Sequence, residues 1–134
     1  TYFYNVYGDR EIDEGKYATV IAKFLKLKNA KTKYIEITRP GTQKRNFTHV
    51  KDIISGLIKV AEKGNGDGYG ISSSKSYTII QLAKILNMDY KLLPRKKGNR
   101  LKSKVYISKT KKLGWTPKYD LKKYLEKKIQ CKMQ

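Results

Sequence analysis

Residues 41–63 read Gly41-Thr-Gln-Lys-Arg-Asn-Phe-Thr-His-Val-Lys-Asp-Ile-Ile-Ser-Gly-Leu-Ile-Lys-Val-Ala-Glu-Lys63. From Val50 onward the apolar residues Val50, Ile53, Ile54, Leu57, Ile58 and Ala61 recur at steps of three and four, which predicts an amphipathic helix running to about Lys63. Before Val50 the chain is polar and cationic, and it holds Lys44, Arg45 and the only histidine, His49. A guanidinium in such a turn-rich approach to a helix can hold a phosphate through two parallel N–H bonds.

Working upstream, Tyr34 to Thr38 alternates as a short strand and stops at Arg39-Pro40-Gly41, a turn by composition. Tyr17, Val20, Ile21, Phe24 and Leu25 predict a helix over residues 16–28. The opening Tyr2-Phe-Tyr-Asn-Val-Tyr7 is nearly continuous in aromatic and branched residues, the pattern of a strand covered on both faces.

Downstream, Gly64-Asn-Gly-Asp-Gly-Tyr-Gly70 ends the long helix and leads to a short strand near Tyr69 to Ser72. Thr78 with Gln81 makes a capping box for a helix through Leu86, and Tyr90 to Leu93 is a strand ending at Pro94. The basic loop Arg95-Lys-Lys-Gly-Asn-Arg100 follows. Ser108 is placed to cap a short helix that Gly114 ends, Trp115 to fold back onto the core, and Asp120 to cap a last helix bearing Leu121, Tyr124, Leu125 and Ile129. Strands and helices alternate along 134 residues, so the expected class is α/β with helix predominating, in a single domain.

Of 31 basic residues 26 are lysine, and the net charge is +20. Such a charge admits a basic nucleic-acid or polyanion-binding module, but readers of phosphates and bases favour arginine, and the lysines here are scattered over every polar helix face. No run approaches the ~20 apolar residues of a membrane-spanning helix. No leader pattern is seen, and the single Cys131 cannot form an internal bridge, so a reducing cytoplasm is the expected compartment.

Glycines 64, 66, 68 and 70 follow a helix and precede a strand, the reverse of the order in a dinucleotide loop. Tyr119/Lys123 and Tyr124/Lys128 have the Tyr-x-x-x-Lys spacing that can lower a tyrosine pKa, but chance placement in a chain with 11 Tyr and 26 Lys explains both. His49 has no neighbouring ligand for a metal and no G-x-S-x-G serine, which favours a hydrogen-bonded role at the helix entry. No catalytic or metal residue is therefore expected. Arg95, Lys96 and Lys97 beside Gly98 form a second cationic loop, and two such loops converging on one pocket would suit a diphosphate.

Several stretches together resemble the extended short-chain dehydrogenase/reductases that act on nucleotide sugars, including UDP-glucose 4-epimerases and sugar-nucleotide dehydratases. Asn5-Val-Tyr-Gly8 through Arg10 resembles N-V-Y-G-P-R with Asp9 in place of proline, and Lys16-Tyr-Ala-Thr-Val-Ile21 is similar to Y-A-x-V-I. Gly41 to Asp52 resembles G-x-Q-x-R-[DN]-F-x-H-V-x-D, Tyr69-Gly-Ile-Ser-Ser resembles Y-N-I-G-S, Arg95 to Arg100 the R-x-G-[DN] loop, and Ile107 to Pro117 the region ending L-G-W-x-P.

The resemblance covers only the C-terminal, substrate-binding part of such an enzyme. It implies a helix-rich substrate-binding subdomain lacking most of the Rossmann domain, with residues 1–8 corresponding to a strand of that sheet. The family's dinucleotide loop and catalytic Tyr-x-x-x-Lys have no counterpart. NAD is the family's cofactor and is not expected to be bound tightly by this chain alone. The implied ligand is a UDP- or GDP-sugar. Asn5 would bond its diphosphate or sugar, Thr19, Val20, Ile37 and Thr38 would border the base, Arg45 would clamp the diphosphate and Asn99 would lie near the ribose. The second clamp falls on Lys96, with Arg95 displaced by one position, and Phe3 sits where an aromatic residue flanks the nicotinamide. The implied protein partner is an N-terminal Rossmann-domain chain, or a second copy joined through residues 2–7.

Overall fold

The computed structural model describes residues 1–102 and 104–131. Its order is β1 (Val6–Tyr7), α1 (Val20–Asn29), β2 (Tyr34–Thr38), β3 (Lys44–Asn46), β4 (Thr48–His49), α2 (Val50–Lys63), β5 (Ser76–Thr78), α3 (Ile79–Ile85), β6 (Asp89–Leu93), α4 (Ser108–Lys112) and α5 (Leu121–Gln130). The strands pair as three two-stranded sheets: β1 with β4 parallel, β2 with β6 parallel, and β3 with β5 antiparallel. The fold is mixed α/β, as the sequence implies.

The main core lies between α1, α3, α5 and the β2–β6 pair, and it includes Phe24, Ile35, Ile37, Leu82, Leu86 and Leu125. Each such side chain contributes about 1.5–3 kcal/mol by leaving water. A second cluster joins Ile53 of α2 to Ile71 and Trp115. Gly56 permits it, because a Cβ there would stand 2.8 Å from Ile71 Cγ2 and 3.1 Å from Trp115 Nε1.

The long helix forms as its periodicity predicts, and Gly64 closes it by donating to Val60 O at 2.7 Å. Both hydrogen bonds of the Thr78–Gln81 capping box are present. Asp120 caps α5 by accepting from Lys123 N at 3.1 Å.

Other expectations are corrected. The helix predicted over 16–28 begins only at Val20, because Thr19 is extended and accepts from Ala22 N, which leaves Tyr17 outside it and 78% exposed. Ser108 does not cap α4; it is the first helical residue, and Ile107 precedes it without a side-chain cap. Tyr69 to Ser72 is buried but, among the described residues, joins no ladder beyond one bridge, Tyr2 to Gly70.

The opening segment departs furthest from expectation. Only Val6–Tyr7 is strand, since Asn5 takes a left-handed φ of 52° that interrupts the extended run. Tyr2, Phe3 and Tyr4 stay exposed instead of being covered on both faces. Part of the pairing expected from a partner is internal: Tyr2 N donates to Tyr69 O at 2.9 Å, Ile71 N to Tyr2 O at 2.8 Å, and β1 lies on β4.

Candidate functional site

The cationic stretch before α2 becomes β3, whose pairing with β5 sets Arg45 opposite Tyr77. Lys44 N donates to Leu101 O at 2.9 Å, and a bridge joins Lys44 to Lys102, so the end of the basic loop is drawn along β3. Gly98 makes the turn with φ +81°, open to glycine without strain. Through these contacts Gly98, Asn99 and Arg100 meet Arg45, Asn5 and Tyr4 around a recess of about 270 Å³.

A cleft of about 430 Å³ adjoins it, sharing Asn5, Arg45 and Asn99. Its apolar wall is Val20 and Phe24 of α1, Ile37 of β2, Phe47 and Ile79; Thr38, Glu36, Lys23 and Gln43 supply the polar groups. An open cleft with one apolar wall, adjoining a cationic recess, has room for a flat ring joined to phosphates.

Arg45 is held side-on, its Nη1 donating to Lys44 O at 2.9 Å and its Nη2 to Asn99 Oδ1 at 3.4 Å. Burial, and after it the charge of Arg100, lowers the Arg45 pKa from the ordinary arginine value. No carboxylate pairs with Arg45 among the described residues. Asn5 donates from Nδ2 to Asn46 O at 3.2 Å, which fixes its amide at the junction of the two recesses.

Six of the nine residues singled out for the ligand therefore line the paired recesses: Asn5, Val20, Ile37, Thr38, Arg45 and Asn99. Thr19 does not, because its hydroxyl is used up locally, donating to Glu11 Oε1 at 2.9 Å and accepting from Ala22 N at 3.1 Å. Arg95 and Lys96 are exposed and line neither recess; Arg100 stands there instead, four residues further along the loop from Lys96. Phe3 borders neither.

The sequence reading gave no role to Gln43, which is 6% exposed and donates from Nε2 to Thr38 O at 3.3 Å, leaving its buried Oε1 without a partner among the described residues. Its place in the quoted G-x-Q-x-R pattern was the available signal. Phe24 reads as part of an apolar helix stripe, and only the tertiary fold shows that it and Phe47 wall the cleft.

The remaining reactive-looking groups have structural partners. His49 is the N-cap of α2, with Nδ1 accepting from Lys51 N at 3.1 Å and the ring stacked on Tyr119 at 4.3 Å; burial lowers its pKa. Tyr124 donates to Asp9 Oδ1 at 3.3 Å, and burial followed by the Asp9 charge raises its pKa, the reverse of what a proton-accepting tyrosinate needs. Lys128 pairs with Asp9 at 2.7 Å.

A larger cavity, about 730 Å³, lies elsewhere, bordered by Asn29, Lys31, Asn87, Met88, Lys128 and Ile129 where α1, α3 and α5 end. One of its lysines meets a helix end directly, Lys28 Nζ donating to Asn87 O just beyond α3 at 3.3 Å.

The model of the NAD dependent epimerase/dehydratase family matches residues 2–72. UDP-glucuronic acid decarboxylase 3 of Arabidopsis thaliana is 29% identical over 130 residues, covering 91% of this chain and 37% of the plant protein. The human dTDP-D-glucose 4,6-dehydratase is also 29% identical, over 94% of this chain and 39% of its own length. Among solved structures, the UDP-glucose 4-epimerase of Thermotoga maritima with UDP-glucose superposes with a TM-score of 0.82 at 28% identity, over 98% of this chain and 45% of that one. The chain thus spans well under half the length of the relatives it matches. With more than half of its residues matched by the family model and its fold reproduced in an intact relative, the chain belongs to the NAD dependent epimerase/dehydratase family.

Proposed function

We propose that these residues form the nucleotide-sugar side of an epimerase- or dehydratase-type active site. One observation carries the reading: Arg45, half-buried, shares a recess with Arg100 and the amides of Asn5 and Asn99 at the mouth of the adjoining cleft, and no carboxylate pairs with it among the described residues. Two cations held in this way repel each other until an anion enters between them. A diphosphate would be the anion and the base would fill the slot between Phe24, Ile37 and Phe47. The names of the relatives refer to UDP- and dTDP-sugars, which favours a pyrimidine nucleotide over the GDP alternative.

NAD supplies and takes back hydride in chemistry of this kind. Among the described residues no strand passes through a glycine-rich turn into a helix N-terminus, the geometry that cradles a dinucleotide. The fit to NAD is therefore poor, and no hydride step is assigned to these residues. Their part is to hold and orient the sugar nucleotide, and turnover requires a companion that brings the dinucleotide and the proton-accepting group.

Isothermal titration with UDP and UDP-glucose tests this. Binding is expected to be weak, with Kd about 0.1–1 mM or roughly −5.5 to −4 kcal/mol, because one wall of the site is supplied from outside. Arg45→Ala should weaken it by about tenfold or more, and Arg45→Lys should recover only part, since an ammonium replaces a fork by a point charge. No heat change with either ligand, by the chain alone or by the chain joined to a relative's remaining half, would overturn the reading.

A further inference from the structure

Helices α1 and α3 end in the same way. After α1, Lys31 takes a left-handed φ of 53°, with Lys31 N donating to Lys28 O and Thr32 N to Leu27 O, each at 3.1 Å. After α3, Asn87 takes a φ of 50°, with Asn87 N donating to Lys84 O and Met88 N to Ala83 O, each at 3.0 Å. Both turns lead into the paired strands β2 and β6, where Tyr34 stands opposite Asp89. With the last turn of α5 they frame the cavity of about 730 Å³ and an adjoining one of about 460 Å³ that shares Asn87 and Ile129.

The groove so formed has an apolar floor. Leu25, Ile85, Met88 and Ile129 pack against the main core but are only partly buried. Its rim is cationic, with Lys28, Lys31, Lys33, Lys84, Lys122 and Lys128 against the carboxylates of Asp89 and Glu126. The double bond at each helix end already satisfies carbonyls that lysines would otherwise serve, and of these six only Lys28 donates to a backbone carbonyl among the described residues. Lys128 pairs with Asp9 and Lys122 with Glu126. Lys31, Lys33 and Lys84 pair with no carboxylate among the described residues.

The groove is separate from the nucleotide cleft. The two share no lining residue, and the cleft meets α1 at Val20, about 13 Å back along the helix from Asn29.

The chemistry of the lining selects the occupant. A small ligand is held by a few buried polar groups, whereas every lysine here is exposed or half-buried, which suits a large partner making many weak contacts. No aromatic side chain and no arginine lines either cavity, so bases have nothing to stack on. The floor lies in a recess, out of reach of a flat bilayer surface. A second copy would bring another +20 charge to a cationic rim. An amphipathic helix meets both demands, with apolar residues spaced three and four apart for the floor and carboxylates for the rim, and Met88 adapts the floor to its side chains.

We propose that this groove is a docking site for an acidic amphipathic helix of a protein partner, its apolar face on Leu25, Ile85, Met88 and Ile129 and its carboxylates over Lys31, Lys33 and Lys84.

The test uses a fluorescein-labelled helical peptide of about 18 residues, with leucine at spacings of three and four and glutamate or alanine elsewhere. Fluorescence anisotropy in about 0.15 M salt should give a Kd of about 10–100 μM. A peptide of the same composition with its leucines distributed round the helix should bind at least about tenfold more weakly. Met88→Glu should weaken binding about tenfold, with circular dichroism checking that the variant is folded. The surface pair Lys31→Glu and Lys33→Glu, which leaves the floor intact, should weaken it about fivefold or more. The same change of charge at Lys111 and Lys112 of α4, outside the groove, should alter it by less than about twofold.

Equal binding of the two peptides, or an equal loss from the α4 pair and the rim pair, overturns the proposal by reducing it to general charge attraction. So does an absence of peptide binding together with capture of a thymidine oligonucleotide, or of phosphatidylserine vesicles, that the rim pair abolishes and the α4 pair does not. That result would give the groove to a nucleic acid or to a membrane surface.

Discussion

Asp52 is 2% exposed and gives both carboxylate oxygens to backbone donors, Oδ1 to Lys118 N and Oδ2 to Tyr119 N, each at 2.9 Å. From the first turn of α2 it ties down the segment that also carries Trp115, whose Nε1 donates to Asp52 O at 3.2 Å and Ser55 Oγ at 3.0 Å. Asp52→Ala removes two charge-assisted hydrogen bonds of about 1.5–3 kcal/mol each and leaves two partly buried N–H groups for water to reach imperfectly. The expected loss is about 3–5 kcal/mol, a third or more of the stability usual for a domain of this size. Asp52→Asn keeps one acceptor but turns an NH2 toward the other donor, so it should lose about 2–3 kcal/mol. Urea unfolding followed by circular dichroism gives both values, and the lone Trp115 reports the local event, since its emission should shift to the red. A loss below about 1 kcal/mol for Asp52→Ala, with the same urea dependence as the parent, would refute the view that this carboxylate joins α2 to the C-terminal segment.

Glu11 is partly buried and its pKa is pushed up to about 7, chiefly by burial, with the Thr19 hydroxyl and the Gly8 N–H opposing the rise. An acid whose folded pKa lies above its unfolded value binds more protons when folded, so Glu11 makes stability fall as pH rises from about 4.5 to about 7. His49, whose pKa is lowered, acts in the opposite direction below its ordinary value, so the informative quantity is the difference from Glu11→Gln. That variant should gain about 1–2 kcal/mol on the parent between pH 5 and pH 8, and parallel pH profiles would contradict it. Thr78→Ala opens the capping box of α3 and should lower stability by about 1 kcal/mol in thermal unfolding without altering UDP binding, because neither Thr78 nor Gln81 lines the cleft.

Several elements with a local cause were legible in the sequence, although the Ser108 cap was not borne out. The helix α2 follows from the spacing of its apolar residues, α3 from Thr78 and Gln81, the start of α5 from Asp120, and the β2 strand from alternation before a Pro-Gly turn. Strands β3 and β5 were illegible because Lys44-Arg45-Asn46 has no strand composition; it is extended because Ser76–Thr78 pairs with it. The start of α1 was misplaced because Tyr17 continues the apolar spacing, whereas Thr19 decides the boundary through its bond to Ala22 N.

The site divides in the same way. Arg45, Asn5 and Asn99 were singled out by motif resemblance, and they line one recess because β3 and the basic loop are drawn together at Lys44. That Arg100, and not Arg95 or Lys96, lines the recess depends on where the loop turns at Gly98, which no spacing along the chain records. By itself the sequence determined the family, the helices and the cationic character of the site, since periodicity, caps and motifs are properties of neighbouring residues. The tertiary structure alone decided which cations share a recess and that Ile54 and Ile58 remain exposed, because each of these depends on contacts between residues far apart in the chain.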